Sequence, residues 1–261
     1  MQAICLHSKQ EIAEFLQRNV YLHLYALGDL DDFFWPYTTW YALKDQQRLK
    51  QVALLYIGTA APTLLGISEE PLAEMRELLQ AIVHLLPQRF YAHLSGDLAT
   101  MLSNAYRCVS LGLHYKMALL EKARLETVDT SGVVQLTAAD LHELETFYAD
   151  SYPGNWFDPR MLETGCYYGL RRGKKLASVA GIHVYSPHYK VAVLGNVTTH
   201  PHYRGQGLAT AVCAKLCQAL LETVEHVGLN VKTDNVSAVR CYERLGFAPI
   251  ATYEEFECEH R

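Results

Sequence analysis

The sequence predicts a mixed α/β chain built as two domains, and three observations carry that expectation. The chain has 261 residues, more than one domain of the usual ~100 to 200 residues holds. Its second half alternates short apolar runs with helix-periodic stretches punctuated by glycine and proline, the pattern of strands feeding helices in one layered unit. The late part of the first half repeats that order with a very different sequence, which suggests two copies of one fold.

In the first half, residues 51–56 and 63–67 read as strands, 71–86 as a helix, 89–94 as a strand, 97–106 as a helix and 115–120 as a strand. Apolar content then drops over 121–132, where Thr127, Asp129, Thr130, Ser131 and Gly132 cluster. That composition marks a junction, and we place the domain boundary near Thr127, giving domains 1–126 and 127–261.

The second half opens with an apolar run at 133–136, followed by Thr137 as the N-cap of a helix over 138–149. Pro153 and Gly154 break that helix, and Asp158-Pro159 supplies the cap and first position of a short helix to Thr164. Strands over 166–171 and 176–185 flank Arg172-Gly173-Lys174-Lys175, a hairpin turn, and a third strand spans 191–199. Beyond Gly207, Leu208, Ala211, Val212, Leu216, Ala219 and Leu220 recur at helical spacing. A strand at 227–232, a helix at 236–245 ended by Gly246 and a strand at 249–256 complete the unit.

Composition narrows the function classes. Half of the residues are hydrophobic and 20% are charged, the balance of a folded chain with a large core and not of a disordered one. With 28 acidic against 23 basic residues, the net charge is −5; no basic field favours nucleic acid or an anionic membrane, so any phosphate site must be local. Seven cysteines without a C-x-x-C pair argue against a disulfide framework and a zinc knuckle and fit a reducing, cytoplasmic setting. The first ten residues lack the pattern of a signal peptide, and the most apolar stretch, 52–67, is too short to span a bilayer and holds Gly58, Pro62 and Gly66.

The chemistry concentrates at Leu194 to Ala211, where a strand runs through Arg204-Gly205-Gln206-Gly207-Leu208-Ala209 into a helix. Free N–H groups at a helix start face outward, the helix dipole favours an anion there, and glycines let a phosphate approach the backbone. Arg204 can add a charge-assisted contact. A P-loop needs a lysine after the last glycine, and none follows Gly207. A dinucleotide fingerprint needs glycine or alanine at Thr210 and opens its domain, whereas this loop follows three strands.

The segment Arg204 to Ala209 resembles the [QR]-x-x-G-x-[GA] motif of the GNAT superfamily of N-acetyltransferases. The run Asn235-Val236-Ser237-Ala238-Val239-Arg240-Cys241-Tyr242 with Leu245-Gly246-Phe247 is similar to that family's N-x-x-A-x-x-x-Y-x-x-x-G-F signature. The resemblance covers about residues 133–256 and implies a GNAT acyl-CoA N-acyltransferase fold, here tandem with a degenerate first half, since Ser68-Glu69-Glu70 stands where a cradle would be. It implies acetyl-CoA as cosubstrate, held by Val197, Thr198, Thr199, Arg204, Gly205, Gln206, Gly207, Leu208, Ala209 and Asn235. It also implies Tyr242 as the acid that protonates the leaving thiolate. Asn235 can equally be an N-cap.

No glutamate stands on the strand before the loop, where Asn196 cannot act as a base. His183, Asp150, Asp158 and Glu163 remain candidates. His200 and His202 flank Pro201 without a neighbouring Cys, Asp or Glu and read as solvated loop residues, so no metal is expected. The aromatic segments 32–37 and 152–157 fit either a pocket wall or a packed interface. The implied activity is acetyl transfer to the primary amine of a small acceptor by direct attack in a ternary complex, with a homodimer as a further possibility. The rivals are a non-catalytic CoA-binding or regulatory module, and an acyltransferase for another acyl chain or a protein amine.

Overall fold

In the computed structural model of the chain, residues 1–58 and 61–261 are described; Thr59 and Ala60, within the apolar stretch 52–67, lie outside them. The chain divides into two compact units, Met1–Lys116 with Ile250–Arg261, and Met117–Pro249.

The first unit opens with β1 (Gln2–Cys5), α1 (Lys9–Leu16) and the short α2 (Leu24–Gly28). The Ser8 side chain caps α1 by accepting from the Glu11 N–H, and α1 buries Ile12, Ala13 and Leu16. Three strands follow as a meander, β2 (Thr38–Asp45), β3 (Arg48–Tyr56) and β4 (Thr63–Gly66). Then come α3 (Ala73–Ile82), β5 (Arg89–Leu94), a 3-10 turn at Leu98–Leu102 and β6 (Tyr106–Leu119). The strands lie in the order β1-β2-β3-β4-β5, with β4 and β5 parallel. The chain's last strand, β12 (Phe247–His260), pairs antiparallel with β5 through Glu254 to Glu259. Met75, Leu78, Leu79 and Ile82 of α3 pack on Leu55, Leu64, Phe90 and Ala92 in one buried cluster. The 3.6-residue period of the helix meeting the two-residue period of the strands builds this core.

The second half of the chain repeats the same sequence of elements. It runs β7 (Val133–Gln135), α4 (Leu141–Ser151), a 3-10 segment Pro159–Thr164, and the meander β8 (Tyr168–Arg172), β9 (Lys175–Ser186) and β10 (Val191–Thr199). Then come α5 (Leu208–Leu220), β11 (His226–Lys232), α6 (Val236–Arg244) and β12. Strand order here is β11-β10-β9-β8-β7, with β10 and β11 parallel. Thr137 forms a capping box with Asp140, and Gly173 turns the β8–β9 hairpin at φ 63°. In chain order both halves therefore run strand, two helical segments, three-strand meander, helix, strand, helical segment, strand, although from Ile250 the closing strand of the second half belongs to the first unit. The repeat extends further than its sequence signal, because β1, α1, α2 and β2 complete the first copy.

Three expectations need correcting. The helix expected over 97–106 is the five-residue 3-10 turn at Leu98–Leu102, and β6 begins at Tyr106 and not near 115. The stretch expected as a linker is tied down within the second unit: a 3-10 segment, Lys122–Thr127, buries Leu125, whose carbonyl accepts from Gln218. One disulfide joins Cys108 of β6 to Cys258 of β12, with Cα atoms 4.1 Å apart and 150 residues between them in sequence. No helix of the described residues is long and apolar enough to cross a membrane.

Candidate active site

The site begins where two parallel strands part. β10 and β11 pair only from Val191 with His226 to Leu194 with Leu229. On its other side β10 keeps pairing with β9, but the register shifts between Val193 and Leu194 and again between Gly195 and Thr198. The bulge carries Asn196 at φ 53°, a left-handed conformation that asparagine tolerates better than most residues. Past the bulge, Gly195 to Thr199 have no ladder partner on β11, so the edge of β10 facing β11 has backbone groups to offer a ligand.

Packing behind the bulge is close. A Cβ on Gly195 would stand 2.2 Å from the His183 ring, and one on Gly181 2.2 Å from the Tyr167 ring. Both rings therefore lie flat across neighbouring glycines, the close approach that an isolated strand glycine signals. Asn196 Nδ2 donates to the Tyr167 hydroxyl at 3.0 Å, the Tyr148 hydroxyl donates to the Asn196 carbonyl at 2.8 Å, and Tyr167 donates to the Ile182 carbonyl at 3.2 Å. Every member of this network is buried, and its mutual satisfaction fixes the bulge.

The strand leads into the loop through a 3-10 turn, Pro201–Tyr203, capped by His200. Gly205 and Gly207 stand at φ 76° and 78°, and a Cβ on either would meet nothing within 4 Å. The loop is exposed from Arg204 to Gly207, and α5 starts at Leu208 behind it. Open glycine backbone in front of the N-terminus of a 13-residue helix has the shape and polarity that a pyrophosphate requires. Arg204 Nε donates to the Thr199 carbonyl at 3.2 Å. The guanidinium thus closes the loop onto the strand end, and the Thr199 carbonyl is engaged within the protein.

Residues 133–247 match the family described as Acetyltransferase (GNAT) family. This segment is a GNAT domain. No curated protein sequence matches the chain. Among solved structures it is similar to a GNAT-family protein from Novosphingobium aromaticivorans, at 20% identity and a TM-score of 0.61 over 80% of this chain and 88% of that one. An acetyltransferase from the GNAT family of Colwellia psychrerythraea aligns over 100% of both chains at 12% identity and a TM-score of 0.60. A tandem GNAT protein from the clavulanic acid biosynthesis pathway aligns over 99% of this chain and 98% of that one, at 15% identity and a TM-score of 0.57. Identities of this size show the fold alone, and the fold they show is a tandem GNAT fold spanning both halves.

Within the GNAT domain, Tyr242 lies on α6, buried, with its ring edge-on to Phe247 at 5.9 Å. Burial, then the neighbouring Cys213, Cys241, Tyr152 and Cys217, hold its phenol well above the ordinary value. Asn235 is the N-cap of α6, its side chain accepting from the Ala238 N–H at 3.2 Å and from Ser237 Oγ at 3.1 Å. The capping alternative raised by the sequence is therefore realised.

The base candidates separate cleanly. Asp158 is held by Arg160 through contacts of 2.5 and 2.9 Å. Asp150 and Glu163 are exposed, at the end of α4 and on the 3-10 segment. His183 alone of the four has its ring against β10 at the bulge. Of the aromatic loop, Tyr152 and Trp156 are 42% and 40% exposed, whereas Phe157 packs between Tyr148 and Tyr167. In the other aromatic segment Phe34 is core, and Trp35 stacks on Trp40 at 6.4 Å. Sequence reasoning missed Tyr148 and Tyr167; the strand glycine Gly181 was the available signal for the second. The His200 and His202 rings lie 5.1 Å apart, tilted by 32°, and among the described residues no group of three or more His, Cys, Asp or Glu side chains is placed to hold a metal ion.

Proposed function

We propose that the GNAT domain transfers the acetyl group of acetyl-CoA to the primary amine of a small acceptor, by direct attack while both are bound. The observation that carries this reading is the parting of β10 from β11 immediately before a glycine loop with open space at both glycines. When bound, acetyl-CoA supplies the activated thioester and the leaving thiolate.

The chain's residues take the remaining tasks. The backbone of Gly205, Gln206, Gly207, Leu208 and Ala209 receives the pyrophosphate, and Arg204 anchors the loop and adds positive charge. Val197, Thr198 and Thr199 present strand backbone to the pantetheine arm and the carbonyl oxygen, with the N–H groups and not the engaged Thr199 carbonyl doing so. Asn235 contributes by fixing the start of α6. His183 accepts the amine proton, directly or through water, and Tyr242 returns a proton to sulfur. A phenol whose burial keeps it protonated suits that second task. The first unit, with Ser68-Glu69-Glu70 in place of the cradle, takes no part in binding the cofactor.

Calorimetric titration with acetyl-CoA tests the reading. Binding in the micromolar range by the intact protein, lost in Gly207→Trp, supports the cradle; thiol release with a panel of amines then identifies the acceptor. A folded intact protein that binds no acetyl-CoA refutes it, and binding without thiol release for any amine leaves a CoA-binding module.

A further inference from the structure

On β11 one residue runs against its surroundings. Leu229 and Val231 are buried apolar side chains of the kind a central strand favours, and Asn230 stands between them. The last rung of the ladder between β10 and β11 is Leu194 with Leu229. Asn230 is therefore the first residue of β11 past the parting, at the register position beside Gly195. Val193 pairs with Gly228 and side chains alternate along a strand, so Asn230 lies on the face of the sheet where a Gly195 Cβ would stand. That is the face the His183 ring covers.

The Nδ2 atom of Asn230 is buried and, among the described residues, has no hydrogen-bond partner. A buried amide donor left unpaired costs stability, so native structures satisfy nearly all of them, and an exception calls for a ligand or a catalytic task. The amide does not titrate, so it offers its donors at every pH and cannot take the place of the base. It cannot usefully hold the attacking amine, because the lone pair that would accept its hydrogen bond must reach carbon. The reaction proposed above creates one new acceptor in this region. As the amine attacks, the C=O electron pair moves onto the acyl oxygen; when the pair returns, the C–S bond breaks. The amine proton passes to His183 and the leaving thiolate takes its proton from Tyr242, so Asn230 neither gains nor loses one. A fixed donor aimed at the oxygen where charge develops, in a site shielded from water, lowers the barrier.

The geometry points to Asn230 as a further catalytic residue: its side-chain amide donates to the acyl oxygen from β11, as the backbone N–H groups of Val197 to Thr199 do from β10, and stabilises the charge that develops there. Donors from the strands on both sides of the parting then hold one oxygen. The inference rests on the binding of acetyl-CoA at the parted strands. It also accounts for asparagine, a poor strand former, at this position: leucine or valine would continue the core of β11 but offer no donor.

Infrared difference spectroscopy of acetyl-CoA isotopically labelled at its carbonyl, bound to the full chain, tests it against Asn230→Leu, which keeps the bulk and removes the donor. In the wild type the carbonyl band should move to lower frequency on binding, and in Asn230→Leu at least about half of that displacement should be lost. The dissociation constant for CoA, which lacks the acyl oxygen, should stay within about twofold. For an acceptor found by thiol release, kcat should fall about 10²-fold with KM for the amine little changed. Because the substitution also removes an unpaired buried donor, Asn230→Leu should unfold at the same or a higher denaturant concentration than the wild type; a purely structural asparagine would give the reverse. A band displacement equal in the two proteins, or an unchanged kcat, overturns the proposal and leaves the amide to a structural water. A raised KM for the amine at unchanged kcat overturns it in favour of a contact to the acceptor. A folded wild type that binds no acetyl-CoA overturns the function proposed above and this inference with it, whereas binding with a band that does not depend on Asn230 overturns this inference alone. If Asn230→Leu fails to fold, Asn230→Ala decides by the same band displacement and kcat.

Discussion

The burial of Tyr242 suits the role proposed for it. Its phenol is desolvated on α6 and surrounded by thiols and another phenol, all of which disfavour the phenolate, so it holds its proton across the neutral range. Removing only that proton, in Tyr242→Phe, should lower kcat by about 10² or more while the dissociation constant for acetyl-CoA stays within threefold; an unchanged kcat excludes it as the acid. Asp29, 4% exposed in the first unit, is the opposite case of a residue whose burial costs stability. Desolvation raises its carboxyl from 3.8 to about 8. The unfolded chain loses that proton near 3.8 and the folded chain keeps it until about 8, so the unfolded state binds fewer protons between those values and stability falls as pH rises through the window. Asp29→Asn removes the effect. Its advantage over wild type in denaturant unfolding should be small near pH 4 and grow towards pH 8, by at most about 1.4 kcal/mol per pH unit. A difference between the two proteins that does not change with pH refutes the assignment.

At the scale of elements, β10 does three things in nine residues: it pairs with β11, bulges, and then presents a free edge. Its sequence, V-A-V-L-G-N-V-T-T, encodes that order. The β-branched and aliphatic start suits a buried parallel pair, Gly195 admits the His183 ring, and Asn196 accepts the positive φ. Gly195→Ala places a Cβ 2.2 Å from His183, so the ring must leave the bulge or the strands must separate. Acetyl transfer should fall at least about tenfold, through kcat with respect to the amine, with a stability loss of about 1–3 kcal/mol. Activity retained at the wild-type level would remove His183 from its proposed role as base. The strand limits of β10 and β5 were legible to the residue because apolar runs there end at glycine, proline or charge. The first half of β6 was not, since after Tyr106 its residues are all exposed or half-buried and carry no periodic apolar signal. Gly112 at φ 107° also interrupts the strand pattern.

At the scale of the molecule, the fold of the GNAT domain and its loop could be read because turn chemistry, caps and periodicity agree there at each element. The first copy was only half legible. Its α1 and β2 were hidden by the mixed composition of K-Q-E-I-A-E-F-L and by aromatic residues that fit a pocket wall as well as a strand. Long-range features left no local trace: the Cys108–Cys258 bond and the pairing of β12 with β5 both join residues some 150 positions apart or more. The chain's end therefore has a structural duty in its first unit. Tyr253, Phe256 and Cys258 are 1%, 8% and 0% exposed there, and burying each large side chain contributes roughly 1.5–3 kcal/mol. Ending the chain at Pro249 removes these contacts together with six ladder positions on β5 and the disulfide. Against a typical stability of about 5–15 kcal/mol, that loss is large enough to unfold the first unit. Hydrogen exchange in the truncated protein should then show protection lost across Thr38–Asp45, Arg48–Tyr56 and Arg89–Leu94. Val191–Thr199 and Leu208–Leu220 keep all of their own unit up to Pro249, so their protection should persist, and with it the binding of acetyl-CoA. Protection retained in Arg89–Leu94 without its β12 partner would show that the first unit does not depend on the chain's last strand.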